Sequence, residues 1–377
     1  MKNKTILLIS PEPWGINFVS KHHYANYLAK NNTVYFLNPP KGFSLKPWKG
    51  ISCKIKPISE NLIEVDYLNI MPRLNQLPKW LQSFFYRVQA KRIQQKIGIK
   101  KFDIIWSFDP YRFFDQRVWE SEKTIYHTVD FHPNAKYEKS IILSSDCFLG
   151  VADLILEEHK AYRTGHLIPH AADIGGYQKI VEKKMPGNNN IKAIYTGNFH
   201  RHINYSLLKQ LTHANPNCDF IMIGPTSGSN LASKNSIEQK DLKELQNTKN
   251  IYFIGSVPGA ELMTYLNKGD INLVLFKKEN ERLHCSPHKL MAYFYSGNIT
   301  LSNYIDAHKK TNSNIIKMVQ TDAELLSSFS KIIDNLSTYN SCELKKARQN
   351  FAIENSYDKK INQISKLLYA NAELKND

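Results

Sequence analysis

Cys285-Ser286-Pro287-His288-Lys289-Leu290-Met291-Ala292-Tyr293-Phe294-Tyr295-Ser296-Gly297 reads as a strand-to-helix junction built to hold an anion. Ser286 suits an N-cap and Pro287 the first helical position. Lys289 then falls in the first turn, where free backbone N–H groups and the helix dipole already favour negative charge. A lysine there opposes the dipole, and a bound phosphate would give it a reason to be present. The plain alternative is a surface lysine. The apolar run Leu290, Met291, Tyr293, Phe294 buries the rest of the helix, and Gly297 ends it.

Outward from this junction, short apolar runs alternate with helical patterns along the whole chain. Strands are predicted at Thr5–Ser10, Thr33–Leu37, Leu62–Val65, Asp103–Ser107, Lys123–His127, Cys147–Val151 and His166–Ile168. The second half adds Lys192–Thr196, Asp219–Ile223, Ile251–Ile254, Ile271–Leu275 and Ile299–Ser302. Helices are predicted between them, among them Phe18–Lys30, Lys79–Ile97, Tyr205–His213, Gly259–Asn267 and Pro287–Ser296. Such alternation implies parallel sheets covered on both faces. Two series imply an α/β protein of two Rossmann-like, doubly wound domains facing across a cleft, the default place for a ligand. The boundary is expected near Ala171–Asp173, giving domains 1-170 and 171-355. A last helix in 356-377 is free to pack on either. No Gly-x-Gly-x-x-Gly follows the first strand, where Ser10-Pro11-Glu12-Pro13-Trp14-Gly15 stands, so a dinucleotide oxidoreductase is poorly supported. A P-loop motif is also missing.

The chain has 377 residues and a formal charge of +16, of which +10 lies in residues 1–150 and +6 in the remainder. A basic N-terminal half suggests an anionic partner: a membrane surface, a nucleic acid or a phosphorylated substrate. No nucleic-acid recognition module is visible, so no nucleic-acid partner is expected. No stretch reaches the ~18 apolar residues of a membrane span. The cysteines are odd in number and scattered, which points to reduced thiols in a cytoplasm rather than a disulfide framework or zinc site.

An ordered series of short motifs resembles bacterial glycosyltransferases of the GT-B fold. His166-Leu167-Ile168-Pro169-His170-Ala171-Ala172-Asp173 is similar to the family's interdomain linker. Ala193-Ile194-Tyr195-Thr196-Gly197 resembles the first strand and glycine turn of the donor domain, and Asp219 to Pro225 its second strand. Asn250 to Pro258, with Val257, resembles the strand and loop facing the donor base. The opening stretch resembles the nucleotide-phosphate helix. Retaining members carry Glu-x7-Glu, whose two acids fall here at His284 and Ala292. The variant Lys289-Leu290-Met291-Ala292-Tyr293 looks more like the inverting, xanthan-type glucuronosyltransferase branch. That branch places a catalytic aspartate where Ile125-Tyr126-His127-Thr128-Val129-Asp130 ends.

The resemblance implies an N-terminal acceptor-binding domain, a C-terminal nucleotide-sugar domain, and a surface-polysaccharide enzyme using a nucleotide sugar, most simply a UDP-sugar. Such transfer needs a base for the acceptor hydroxyl and positive charge for the leaving diphosphate. Asp130 and Lys289 are the catalytic candidates. Gly197, Arg201, Pro225, Val257, Ser286, His288, Leu290 and Tyr293 are donor-binding candidates, and Gly15, His127, His170 and Glu279 are candidates for the cleft. Each has a plainer reading: Asp130 an Asx-turn, the histidines structural packing. No acidic pair is placed like a metal-binding Asp-x-Asp, so neither metal nor cofactor is expected. A nucleotide-sugar epimerase and a non-catalytic glycan-binding subunit remain the rival readings.

Pro78 to Arg92 carries Trp80, Phe84, Arg87 and Lys91 at helical spacing, as it does Leu81, Phe85 and Val88. Aromatics beside cations suit a membrane interface, which a lipid-linked acceptor would make useful. A core helix with a solvated basic side fits the same pattern. The basic run around Lys46-Pro47-Trp48-Lys49 tilts the domain toward anionic lipid.

Overall fold

The computed structural model describes all residues except 16–17, 43–52, 180, 200–201, 226–235 and 374–377. The expectations for Arg201 and for the run around Trp48 lie outside the described residues. The chain divides into two compact units, Met1–Pro169 with Tyr357–Asp377, and His170–Ser356.

The first unit is built on strands β1 (Thr5–Ile9), β2 (Thr33–Leu37), β3 (Lys54–Ser59), β4 (Leu62–Asp66), β5 (Phe102–Ser107), β6 (Ser121–Thr128), β7 (Cys147–Gly150) and β8 (His166–Leu167). Their order in the sheet is β3-β4-β2-β1-β5-β6-β7-β8. Every pair is parallel except β3 with β4. β3 is a correction to the predicted strand list. Its residues are almost all exposed and include Lys54, Lys56 and Pro57, so it lacks the apolar signal of an inner strand and suits an edge. The strand order reverses between β1 and β5, and open α/β sheets bind ligands outside the carboxyl ends at such a point.

The second unit is built on β9 (Ile191–Thr196), β10 (Cys218–Ile223), β11 (Ile251–Gly255), β12 (Ile271–Val274), β13 (Ile299–Asn303) and β14 (Lys317–Val319). They run β11-β10-β9-β12-β13-β14, all parallel, with the reversal between β9 and β12. Alternate residues of each strand enter opposite cores. Ala193, Tyr195, Phe220 and Met222 pack on one face, and Ile194, Ile221 and Ile223 on the other. This period of two, with both faces apolar, is why the strands read as continuous hydrophobic runs.

The chain leaves the first unit after Pro169 and returns at Tyr357. Within the second unit the outgoing and returning segments lie side by side, with Ala172 N–H donating to Asn355 O at 2.9 Å. The last helix, Tyr357–Glu373, belongs to the first unit. Tyr357 there stacks on His23 and Tyr27, at centroid distances of 5.3 and 5.2 Å. No helix among the described residues is long and apolar enough to cross a membrane. All five cysteines are free.

Candidate functional site

In the second unit β9, β10 and β11 are followed by or end on glycines with positive φ: Gly197 at 132°, Gly224 at 145° and Gly255 at 77°. They are tied edge to edge, with Gly197 N–H donating to Ile223 O at 2.9 Å and Gly224 N–H to Gly255 O at 2.8 Å. A Cβ on Gly224 would lie 2.0 Å from the Gly197 carbonyl oxygen, so only glycine lets these turns approach. A Cβ on Gly197 would come within 3.7 Å of Lys289 Nζ, so the glycine turn faces the lysine.

Lys289 is half-buried. Its Nζ donates to Thr196 O at 2.9 Å and lies 3.8 Å from the centre of the Tyr195 ring and 5.0 Å from that of Phe276. Burial alone drives its pKa well below the ordinary lysine value, because no carboxylate among the described residues compensates it. A desolvated cation without an acid partner is costly, although aromatic faces recover part of that cost. An anion arriving beside Gly197 would offset the remainder. The cage is formed by the end of β9 and the residue Phe276 just beyond β12, at the reversal of the strand order.

Two corrections concern the junction itself. The helix runs Leu290–Ser296, with Lys289 at its N-cap and no side-chain cap, so Ser286 does not cap it and Pro287 is not its first residue. Pro287 and His288 instead form a tight turn whose carbonyls accept from Leu290 and Met291 N–H. Leu290 and Tyr293, expected to touch donor, are fully buried. The Tyr293 hydroxyl is already engaged, accepting from Thr196 N–H at 2.7 Å and donating to Leu273 O at 3.2 Å. Lys289 and Tyr293, one helical turn apart, thus hold the two ends of the same residue, Thr196. Ala292 is buried and brings no polar atom.

Beside this cage His284 stacks on Phe276 at 3.9 Å and 11°, and its Nε2 lies 2.9 Å from Nδ1 of the buried His202. His170 is buried against His288, ring to ring at 5.2 Å and 90°. The fold therefore brings His170, His288, Lys289 and Gly197 into one neighbourhood. Pro225 O accepts from Phe199 N–H at 3.0 Å, bracing the loops after β9 and β10. Val257 packs on the second core, and Ser286 is half-buried in the loop ahead of Lys289. Glu279 is exposed and borders a separate depression with Lys277, Asn303, Thr321 and Asp322. Tyr195, in the strand the motifs already marked, and Phe276, which no motif marks, wall the lysine, and their pairing becomes visible only through the sheet order.

In the first unit Asp130 stands two residues beyond β6, exposed, with Thr128 Oγ1 donating to its carbonyl at 2.9 Å. Surrounding protein raises its carboxyl above the ordinary range by desolvation, Lys21 and His132 draw it back, and Glu12 pushes it up again. Lys21 is buried and ion-paired with Glu12 in the loop after β1. Gly15 lies exposed in the segment between β1 and the helix Ser20–Ala29. His127 is a correction: it is buried against Tyr24, Trp106 and Phe108, and desolvation lowers its pKa to about 3. The neutral imidazole is packed in an aromatic nest with both ring nitrogens buried, rather than presented at the strand end.

Arg112 is a residue that the sequence did not single out. Its guanidinium donates to Asp109 at 2.6 Å, to Ser10 O at 2.6 Å, to Asn38 O at 3.0 Å and to the Tyr67 hydroxyl at 2.6 Å. Those partners follow β5, β1, β2 and β4, so one side chain joins the carboxyl ends of four neighbouring strands. Its only signal is an Asp and an Arg three residues apart just past a strand. No cluster of three or more His, Cys, Asp or Glu able to hold a metal occurs among the described residues.

No protein-family model and no curated protein matches the chain in sequence. Solved structures match it throughout. A sucrose-phosphate synthase from Thermosynechococcus elongatus is 13% identical with a TM-score of 0.69, over 99% of this chain and 100% of that one. A trehalose-6-phosphate synthase described in terms of glycosyl transfer with retention is 10% identical with a TM-score of 0.64, over 96% and 98% of the two chains. A putative UDP-N-acetylglucosamine 2-epimerase from Listeria monocytogenes is 11% identical with a TM-score of 0.57, over 98% and 97%. The chain thus has the GT-B fold of two Rossmann-like units.

Proposed function

We propose that the protein is a glycosyltransferase that takes a nucleotide-diphosphate sugar, a UDP-sugar, and passes the sugar to a hydroxyl of a glycan or lipid-linked acceptor in surface-polysaccharide synthesis. The observation that carries this reading is Lys289, an uncompensated cation held against a glycine turn at the strand-order reversal of the second unit. The donor diphosphate meets Lys289, and the first unit takes the acceptor. In the reaction the acceptor oxygen attacks C1, its proton passes to the Asp130 carboxylate, and the C1–O bond breaks with its electron pair leaving on the diphosphate. Lys289 offsets the charge that grows there, so the mechanism needs no metal. Support for inversion comes from His284 and Ala292, which stand where the retaining motif has its two acids. Arg201 and His170 are further donor contacts in this reading. The basic N-terminal half brings the enzyme to the cytoplasmic face of a membrane carrying its acceptor.

The binding half is tested by a thermal-shift screen over UDP-, GDP-, CMP- and dTDP-sugars, since a ligand for the native state raises the melting temperature. Lys289→Met is expected to weaken nucleotide-diphosphate binding by roughly 10- to 100-fold, the range for a hydrogen bond to a charged group. The same variant raises the melting temperature of the free protein. The sign follows from the lowered pKa. Between that value and about 10.4, the ordinary value, the unfolded chain holds a proton that the folded chain lacks, so charged Lys289 costs stability below this window. Unchanged affinity in Lys289→Met removes the diphosphate-site reading.

The epimerase-like neighbour favours one second reading, a nucleotide-sugar epimerase. Incubation with UDP-sugar alone separates the two: an epimer formed without acceptor supports it, and strict dependence on acceptor excludes it.

A further inference from the structure

We propose that the outer face of the helix Lys79–Ile97 is a docking surface for an anionic lipid bilayer. The inference deepens the membrane contact proposed above and rests on it.

The helix follows Pro78 and stops at Gly98, whose φ of 78° lets its N–H return to Gln94 and Gln95 O. Tyr86, Ala90 and Ile93 bury one side in the core of the first unit. At 100° per residue, Trp80, Phe84, Arg87 and Lys91 fall within an arc of about 60° centred roughly 120° around the helix from that side. This arc is open: Trp80 is 71% and Phe84 59% exposed, the two largest values among the exposed large apolar side chains. Arg87 and Lys91 are exposed as well. A soluble helix of this type would place polar groups there. Two large aromatics held out in water, with apolar residues also on the buried side, call for a partner.

Charge decides what the partner is. From Tyr67 to Phe102 the sequence has eight Lys and Arg and no Asp or Glu. Lys79, Arg87 and Lys91 have no ion-pair partner among the described residues, although the unit contains acids that pair other lysines. Aromatics at one end of a stripe, cations along it and no acid nearby match a headgroup layer over acyl chains. The stripe runs over twelve residues, about 16 Å of helix lying flat on the surface.

The test uses the full chain and sedimentation with vesicles of phosphatidylcholine alone or with about one third phosphatidylglycerol, whose surface charge attracts basic residues. The protein is expected to bind the mixed vesicles, to bind phosphatidylcholine weakly, and to be released by salt. Arg87→Gln with Lys91→Gln weakens binding roughly 30-fold, the loss for two surface cations. Trp80→Ser with Phe84→Ser weakens it at both salt levels. These positions are exposed, so both double variants keep the melting temperature and the UDP-induced shift, which separates lost docking from unfolding or a lost donor site. Wild-type binding that neither double variant weakens overturns the assignment to this face and leaves the broader membrane contact standing. No binding to either vesicle overturns both, while a normal UDP shift in the same sample leaves the donor-site reading intact.

Discussion

Asp130→Asn lowers the rate of sugar transfer by about 10²- to 10⁴-fold, the range for loss of a positioned general base. The UDP-induced rise in melting temperature stays, because Lys289 and the glycine turns are untouched. The carboxyl of Asp130 is raised above its ordinary value, mainly by desolvation. Its basic form is therefore lost as pH falls through that raised value, so the wild-type rate climbs with pH and then levels off. The asparagine variant lacks this limb. Stability moves the other way. A carboxyl whose folded pKa is raised favours the native state only while protonated, and the benefit disappears as pH rises through the folded value. Asp130 is exposed, so solvent screens most of this effect, and its replacement by asparagine is expected to leave the melting temperature nearly unchanged. Near-normal turnover in Asp130→Asn ends the assignment of this residue as base. Transfer with retention, read from the anomeric protons of the product by NMR, ends the inverting mechanism even if Asp130 proves essential.

Arg112→Ala costs about 3–5 kcal/mol of stability in the first unit, the range for breaking a buried ion pair from one side. The substitution leaves Asp109 buried without its cation, and removes the donor that joins Ser10 O, Asn38 O and the Tyr67 hydroxyl. Burial opposes the charge on Arg112, and Asp109 with Tyr67 more than offsets it, raising the guanidinium pKa. Hydrogen exchange is the appropriate readout, because a chain of two units need not unfold in one step. Exchange should rise in β1, β2, β4 and β5, while β9 to β13 keep their protection. Asp109→Asn combined with Arg112→Met, which removes both charges, should cost less than Arg112→Ala alone. A loss below about 1 kcal/mol for Arg112→Ala, the worth of an ordinary hydrogen bond, means that the staple is dispensable.

Much of the architecture is legible in the chain because buried parallel strands must be apolar on both faces. Thr33–Leu37 and Lys79–Ile97 have the bounds expected from their residues, and the remaining strands of the two sheet centres shift by a residue or two. What escapes is what carries little apolar signal. β3 is an exposed edge, and the helix Cys342–Glu354 is polar throughout most of its length. That helix nonetheless buries Arg348, which donates to Gly297 O, Asn314 O and Tyr339 O and so fixes the end of the Lys289 helix. A buried arginine bonded to carbonyls looks, in sequence, like any surface arginine.

The candidate site divides the same way. Lys289, Gly197 and Asp130 stand at turns that the strand pattern already marks, so their positions at carboxyl ends follow from order along the chain. Tyr293, Leu290 and His127 lie equally close to those turns, yet they face inward. Whether a side chain at a strand end looks to solvent or to the core depends on one half-turn of backbone, which a motif does not encode. Local patterning already marks two alternating α/β series, an acid-free basic segment around Trp80, and a lysine at the head of the helix ending at Gly297. The folded sheets and cores are what wall this lysine with Tyr195 and Phe276, bind four strand ends to Arg112, and turn Trp80 outward. Those facts arise from strands distant in sequence becoming neighbours in a sheet, and pairing of that kind is set by packing across the whole core rather than by any local run of residues.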